Sequence, residues 1–306
     1  MANRPMFRPM RTLLLLIAAS TVPALAEDPK PIRHGLLAMG GKTYILDADG
    51  HATWTYPRPS RDGWVLQGGN LLLALNKNAD EPGGSAVEVT PDGKILFAFK
   101  GTQSEVNTVQ DVGGGRILVS EAGDHPRLIE VDRSGKVVVE VPLKAQTKDH
   151  HLQTRMARKL SNGNYLVPQL LDKVVREYTA KGEVIWEVAT PDMPFTAIRL
   201  PDGNTLIGCT LGNLVIEVAP SGKIVWQVTN DDLPGRPIND ACGVQRLPNG
   251  NTVITSHHAG PDDVKLSEVT RDKRLVWTHQ GRGMPGIHHF QILDTDGTPL
   301  AGPPLR

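Results

Sequence analysis

Two pairs of adjacent histidines, His150-His151 and His288-His289, lie far apart in the chain, and each has polar companions that could share its chemistry. Arg155 follows the first pair, Asn239 and Asp240 precede the second, and Asp62, Trp64 and Asn107 come from earlier segments. Imidazoles are proton carriers and metal ligands at neutral pH. These residues therefore allow three uses. His150, His151, His288 and His289 could bind an anion with Arg155, coordinate a metal, or only hydrogen-bond across a water-filled space. A metal set would take one residue from His150 or His151, one from His288 or His289, and Asp240 or Asp62. Imidazole and carboxylate suit zinc or manganese, and such an ion activates water or acidifies a sugar proton. No obligatory cofactor is expected. Asp62, Trp64, Asn107, Asn239 and Asp240 are the candidate ligand contacts. A further pair, His257-His258, follows a hairpin and reads as a loop or second-strand feature.

A repeated scaffold must bring these segments together. One phrase recurs as strand, turn and strand: Val87-Glu88-Val89-Thr90-Pro91-Asp92-Gly93, Ile129-Glu130-Val131-Asp132-Arg133-Ser134-Gly135 and Ile216-Glu217-Val218-Ala219-Pro220-Ser221-Gly222 are three of six copies. Their anchors at 50, 93, 135, 182, 222 and 273 are 43, 42, 47, 40 and 51 residues apart, the length of a propeller blade. Four positions after each anchor stands Trp54, Phe97, Val139, Trp186, Trp226 or Trp277, placed to fill the wedge between neighbouring blades. A second phrase, such as Gly203-Asn204-Thr205-Leu206-Ile207, marks an earlier hairpin in each unit. Glu88, Glu130, Glu177, Glu217 and Glu268 recur with the turns and belong to the scaffold.

These patterns predict an all-β, six-bladed β-propeller of four-stranded blades. Ile287 to Asp294 begins a unit that Gly35 to Met39, Thr43 to Asp47 and Ala52 to Tyr56 complete, so one blade combines strands from both ends of the chain. The wider gaps around Asp149 and Asp262 are where a seventh blade could hide. The first strand of each blade lines the axial channel, and the candidate residues cluster at the entries to those strands. Alternation along a strand implies that one member of each histidine pair faces the channel.

The sequence holds 33 basic and 33 acidic residues. Residues 1–26 carry Arg4, Arg8, Arg11, an apolar run and Ala24-Leu25-Ala26, the pattern of a cleaved signal peptide. Removing them leaves 30 basic against 33 acidic side chains, too even a balance for nucleic-acid binding. Residues 27–34 form a short lead and 35–306 the propeller. The expected product is periplasmic or secreted, with no stable membrane insertion after processing. Cys209 and Cys242 could pair there or sit buried as small apolar residues.

Ser221-Gly222-Lys223-Ile224-Val225-Trp226 and Leu247-Pro248-Asn249-Gly250-Asn251 resemble the repeats of bacterial arylsulfotransferase-like propellers and, more broadly, those of the pyrroloquinoline-quinone type. The resemblance covers nearly the whole chain after residue 26. It implies a channel histidine that carries a sulfuryl group from an arylsulfate ester to a phenol, with Arg155 and a second histidine stabilising charge. Function is accordingly read as extracytoplasmic binding of a small molecule or glycan in the axial channel, with group transfer as its enzymatic form. The alternatives are a noncatalytic protein- or glycan-binding propeller and a metal-dependent lyase or hydrolase. No oligomeric state is assigned.

Overall fold

A computed structural model describes residues 31–306, together with Met1; the signal peptide expected at 1–26, apart from Met1, and residues 27–30 of the short lead lie outside the described residues. From Ile32 onward the chain is one compact unit. Blade 1 comprises Ser60–Val65, Leu71–Leu75, Ser85–Val89 and Ile95–Lys100. Blade 2 comprises Glu105–Asp111, Ile117–Ala122, Arg127–Val131 and Val137–Pro142, and blade 3 Arg158–Lys159, Tyr165–Gln169, Val174–Tyr178 and Val184–Ala189. Pro194–Arg199, Thr205–Cys209, Leu214–Val218 and Ile224–Thr229 make blade 4, and Val244–Arg246, Thr252–Thr255, Leu266–Val269 and Leu275–His279 make blade 5.

Blade 6 closes the ring as the sequence implies. Its inner strand, Ile287–Thr295, pairs with His34–Gly40, which continues through Thr43–Leu46 to Ala52–Tyr56. Thr298–Pro299 adds a short fifth strand on the inner side, a feature the four-strand expectation lacked.

Each interface between neighbouring blades has its own apolar cluster. Between blades 1 and 2, for example, Leu72, Phe97 and Phe99 pack on Val106, Val109 and Ile129. The outermost strands bury alternate residues, as in Ile95–Lys100, where Phe97 and Phe99 face inward. Trp54, Trp186 and Trp226 do more than fill wedges. Their indole N–H groups donate to the carbonyls of Pro91, Pro220 and Arg271, the same turn position of the following blade in each case.

The recurring glutamates explain both repeated phrases. Glu88, Glu130, Glu177, Glu217 and Glu268 are all buried. Each accepts from a basic side chain of the next blade: Arg133, Lys159, Arg199, the pair Arg246 and Arg271, and His34. The asparagines Asn70, Asn164, Asn204 and Asn251 of the second phrase donate to the glutamate of their own blade, and Arg116 replaces them in blade 2. A buried carboxylate needs such partners, so the repeat preserves hydrogen-bond and ion-pair partners as well as a turn.

Candidate functional site

The inner strands share a β-bulge near their entry. Ser60 pairs with Leu75 and Asp62 with Ala74, leaving Arg61 extra; Asn107, Phe195 and His288 are extra in the same way in blades 2, 4 and 6. In blade 3 the inner side steps from Thr154 to Arg158 while its partner steps only from Gln169 to Leu166, and Arg155 lies in that stretch. Arg61, Asn107, Arg155 and Phe195 stand four positions before the residue that pairs first beyond the inner hairpin, as does Cys242 in blade 5, and His288 stands four before Ile292, which pairs with Leu36. A bulge interrupts alternation and re-aims side chains. The upper mouth of the channel is therefore ringed by Arg61, Asn107, Arg155, Phe195, Cys242 and His288.

Glu105 is the anionic centre of one side of this mouth. Arg61 reaches it at 3.1 Å, His151 Nδ1 at 3.1 Å and Lys77 at 3.5 Å, while Arg155 Nη2 stays 3.9 Å away. Burial would raise the Glu105 carboxyl, but the His151 hydrogen bond and the charges of Arg61 and Arg155 outweigh it and hold it at about 2. Burial and then repulsion from Arg61 push the Arg155 guanidinium down to about 9. Met156, Leu170, Met193, Phe195 and Cys242 form an apolar wall, against which Leu152 packs.

On the other side, Asp240, His257 and His258 offer ligand atoms that all lie within 4.8 Å of one another. His258 Nδ1 is 2.7 Å from Asp240 Oδ2. Asp240 Oδ1 and His257 Nδ1 are buried and have no hydrogen-bond partner. The loops are zipped together by His257 N–H donating to Asp240 O and His258 N–H to Asn239 O. Asp240 is held at φ 71°, in the left-handed region, where its N–H donates to Asn213 Oδ1. Gly286 permits the approach of blade 6, because a Cβ there would lie 1.6 Å from His257 O. Burial, opposed by His258, raises the Asp240 carboxyl, while burial and His258 push His257 down to about 4. Two imidazoles and a carboxylate with unpaired buried atoms suit a divalent cation such as zinc or manganese.

The two sides meet at His288. Its ring stands edge-on to Phe195 at 4.6 Å and to His257 at 4.8 Å between centroids, and its Nδ1 lies 3.5 Å from Arg61 O. Burial, with His257, Arg155 and Arg61 nearby, holds His288 neutral.

The other candidates take supporting places or lie deeper in the channel. His150 and His151 sit on a 3-10 turn rather than a strand; His150 is held by Ser104 and Asp124, and only His151 reaches Glu105. Asn239 donates to His258 O and Asn107 to Thr154 O, so each braces a neighbouring segment. Asp62, Trp64 and His289 belong to the lower part of the channel. Asp62 binds Arg158 through both oxygens, at 2.8 and 3.1 Å, and also Arg306; Trp64 lies beneath those two guanidinium groups; His289 contacts Arg306. Alternation separates His288 from His289 less than expected because of the bulge: both have partners within the channel, at different depths. Cys209 and Cys242 are free and buried, and Cys242 Sγ contacts Thr210 Oγ1.

Sequence reasoning missed Arg61, Glu105 and Phe195, and gave His257 and His258 no role. One signal was available for the last two. Carrying the pairing of Val244 with Ile254 four residues outward on both strands sets Asp240 opposite His258. A cleft of about 830 Å³ opens at the lower end beside Trp64, Arg158, Lys159, Arg199 and Arg306. Its cations Arg158, Lys159 and Arg199 are paired with Asp62, Glu130 and Glu177. Buried unpaired atoms occur at both levels, His289 Nε2 in the lower channel and Asp240 Oδ1, His257 Nδ1 and Arg155 Nε at the upper mouth, but only the upper set gathers ligand atoms of three side chains.

The fold and this cluster define a six-bladed propeller with a candidate metal centre at one mouth of its channel. The chain is similar to a solved protein of unknown function from Bacteroides caccae, at 22% identity and TM-score 0.75, over 88% of this chain and 100% of that one. It is also similar to a catalytically inactive virginiamycin B lyase from Staphylococcus aureus solved with quinupristin, at 14% identity and TM-score 0.59 over 83% and 85% of the two chains. A streptogramin B lyase matches at 15% and 0.55, over 82% and 84%. At these identities the likeness establishes the fold. No protein-family model and no curated protein matches the chain. Among the described residues no helix is long and apolar enough to cross a membrane.

Proposed function

We infer that the upper mouth is a metal-dependent catalytic site that acts by elimination or hydrolysis on a small molecule or glycan outside the cytoplasm. The observation that carries this reading is the convergence of Asp240, His257 and His258 with Asp240 Oδ1 and His257 Nδ1 buried and unpaired. A bound divalent ion would polarise a ligand oxygen as a Lewis acid. The chain supplies the rest. His288, with Nδ1–H directed at Arg61 O, keeps the Nε2 lone pair for a proton. Arg61 and Arg155 stabilise negative charge, and the Phe195 wall excludes water. The lyases among the structural neighbours favour elimination. The N-terminal charge and apolar pattern supports export.

Sulfuryl transfer through a histidine draws less support. His150, His151 and His289 are engaged by Asp124, Glu105 and Arg306, which leaves His288 alone near Arg155.

Calorimetric titration of metal-stripped protein with zinc or manganese tests the reading. One ion per chain is expected, with about 2.7 kcal/mol of added stability at a free concentration a hundred times Kd. Asp240→Asn and His257→Gln should each abolish uptake. Absence of uptake, or uptake indifferent to both substitutions, would return the channel to noncatalytic ligand binding.

A further inference from the structure

Arg155 is placed for a ligand that the chain does not provide. Its side chain is 1% exposed, yet only Nη1 is satisfied, by Thr154 O at 2.8 Å. Nε is buried without a partner, and Nη2 has no hydrogen bond, its nearest carboxylate oxygen being Glu105 Oε2 at 3.9 Å. Nε–H and Nη2–H form one edge of the planar guanidinium, two parallel donors spaced to match the two oxygens of a carboxylate. A buried charged group with a whole edge unmet is costly unless something completes it.

The surrounding charge points the same way. Arg61, Lys77 and Arg155 gather around the single carboxylate of Glu105, leaving a local excess of positive charge. His151 and Lys77, the outer partners of Glu105, are 59% and 54% exposed, so side-chain motion alone would admit a small anion. Beside the open edge lies a buried apolar cluster. The Arg155 guanidinium is 5.9 Å from the Phe195 ring centroid, within the wall formed with Met156, Leu170 and Met193. From Phe195 the contacts continue through His288 to His257.

We propose that the Nε–Nη2 edge of Arg155 binds the carboxylate of an organic acid whose apolar body rests on Phe195 and its neighbours. The proposal names the substrate class of the site inferred above and rests on that reading for its catalytic meaning. Its binding step is separable, because the carboxylate is held by Arg155 and the metal by Asp240, His257 and His258.

The test is calorimetry on metal-free protein with phenylacetate, phenylacetamide and sodium sulfate as probes. Phenylacetate should bind saturably and at least about tenfold more tightly than the neutral amide, and more tightly than sulfate, which lacks the apolar body. Arg155→Lys, which keeps the charge and loses the fork, should weaken phenylacetate by about tenfold. Because phenylacetate is titrated into metal-free protein and metal uptake is titrated without phenylacetate, the two readings fail separately. Equal binding of acid and amide in the wild-type protein would overturn the proposal, a comparison that needs no variant to fold. So would sulfate binding as tight as phenylacetate, or unchanged phenylacetate affinity in a folded Arg155→Lys protein.

Discussion

Nη2 of Arg306 lies 2.6 Å from Nδ1 of His289 in the axis of the ring, and both side chains are almost wholly buried. The same guanidinium donates to Phe290 O and Gly63 O at 2.7 Å and reaches Asp62 at 3.3 Å, while Arg306 O accepts from Arg158. One residue from the last segment thus ties blade 6, blade 1 and blade 3 together across the lower channel.

Arg306→Met should therefore be severe. It takes the guanidinium donor away from two carbonyls and from His289 Nδ1, which keeps only the Phe290 N–H, and removes one of the two cations on Asp62, a loss of about 3–5 kcal/mol on the scale of broken buried charge networks. Urea unfolding followed by tryptophan fluorescence checks this. A change below about 1 kcal/mol would mean that water or Arg158 replaces the contacts.

Stability should fall in acid in two stages. Burial, with the charges of Arg306 and Arg158, drives the His289 pKa well below 6.5, so its neutral folded form contributes fully above that unfolded value and the contribution is lost as pH falls. Each such group gives a slope of about 1.4 kcal/mol per pH unit below about 6.5. His257 and His288 act in the same direction, so the comparison is between wild type and His289→Asn, whose stability should be less steep by one proton between pH 6.5 and 5. Glu105, with its carboxyl lowered from 4.5 to about 2, adds a loss only below about pH 4.5. Parallel curves for wild type and His289→Asn above pH 5 would contradict the neutral buried assignment.

Between blades, Glu217 is the most heavily engaged of the repeated glutamates, with Arg246 at 2.9 Å, Arg271 and Asn204 all donating to it. Glu217→Gln should cost about 2 kcal/mol in denaturant unfolding, chiefly by leaving the mostly buried Arg246 without its counter-charge. Arg271 is about half exposed and contributes less than 1 kcal/mol of this. Substitution of Arg271 alone by Met should accordingly be much milder than Glu217→Gln. Equal effects of the two would place the stabilisation at the exposed partner.

What was legible in the chain was whatever depends on short separations. Pro220-Ser221-Gly222 and Trp226 belong to one hairpin, and turn chemistry with period-two burial determines the register on which Trp226 reaches the next blade. The same logic located the closure of Ile287–Thr295 on His34–Gly40, because an incomplete unit at one end needed strands from the other. Even the glutamates were recognisable as scaffold, although their partners were not, since Arg246 comes from the inner strand and Arg271 from an outer turn of another blade.

The site was less legible because its geometry departs from the repeat. Alternation along a strand assigns faces correctly until one bulged residue shifts the count, and that shift brings Arg61, Phe195 and His288 to the mouth. His150 and His151 left the strand altogether for a 3-10 turn. The sequence by itself determined six blades, their turns and the histidine-bearing entries, since these follow from local spacing and burial pattern. Only the tertiary structure decided that Asp240 meets His257 and His258 and that Arg155 keeps an open edge, because both depend on which backbone and side-chain partners different blades present to one axis.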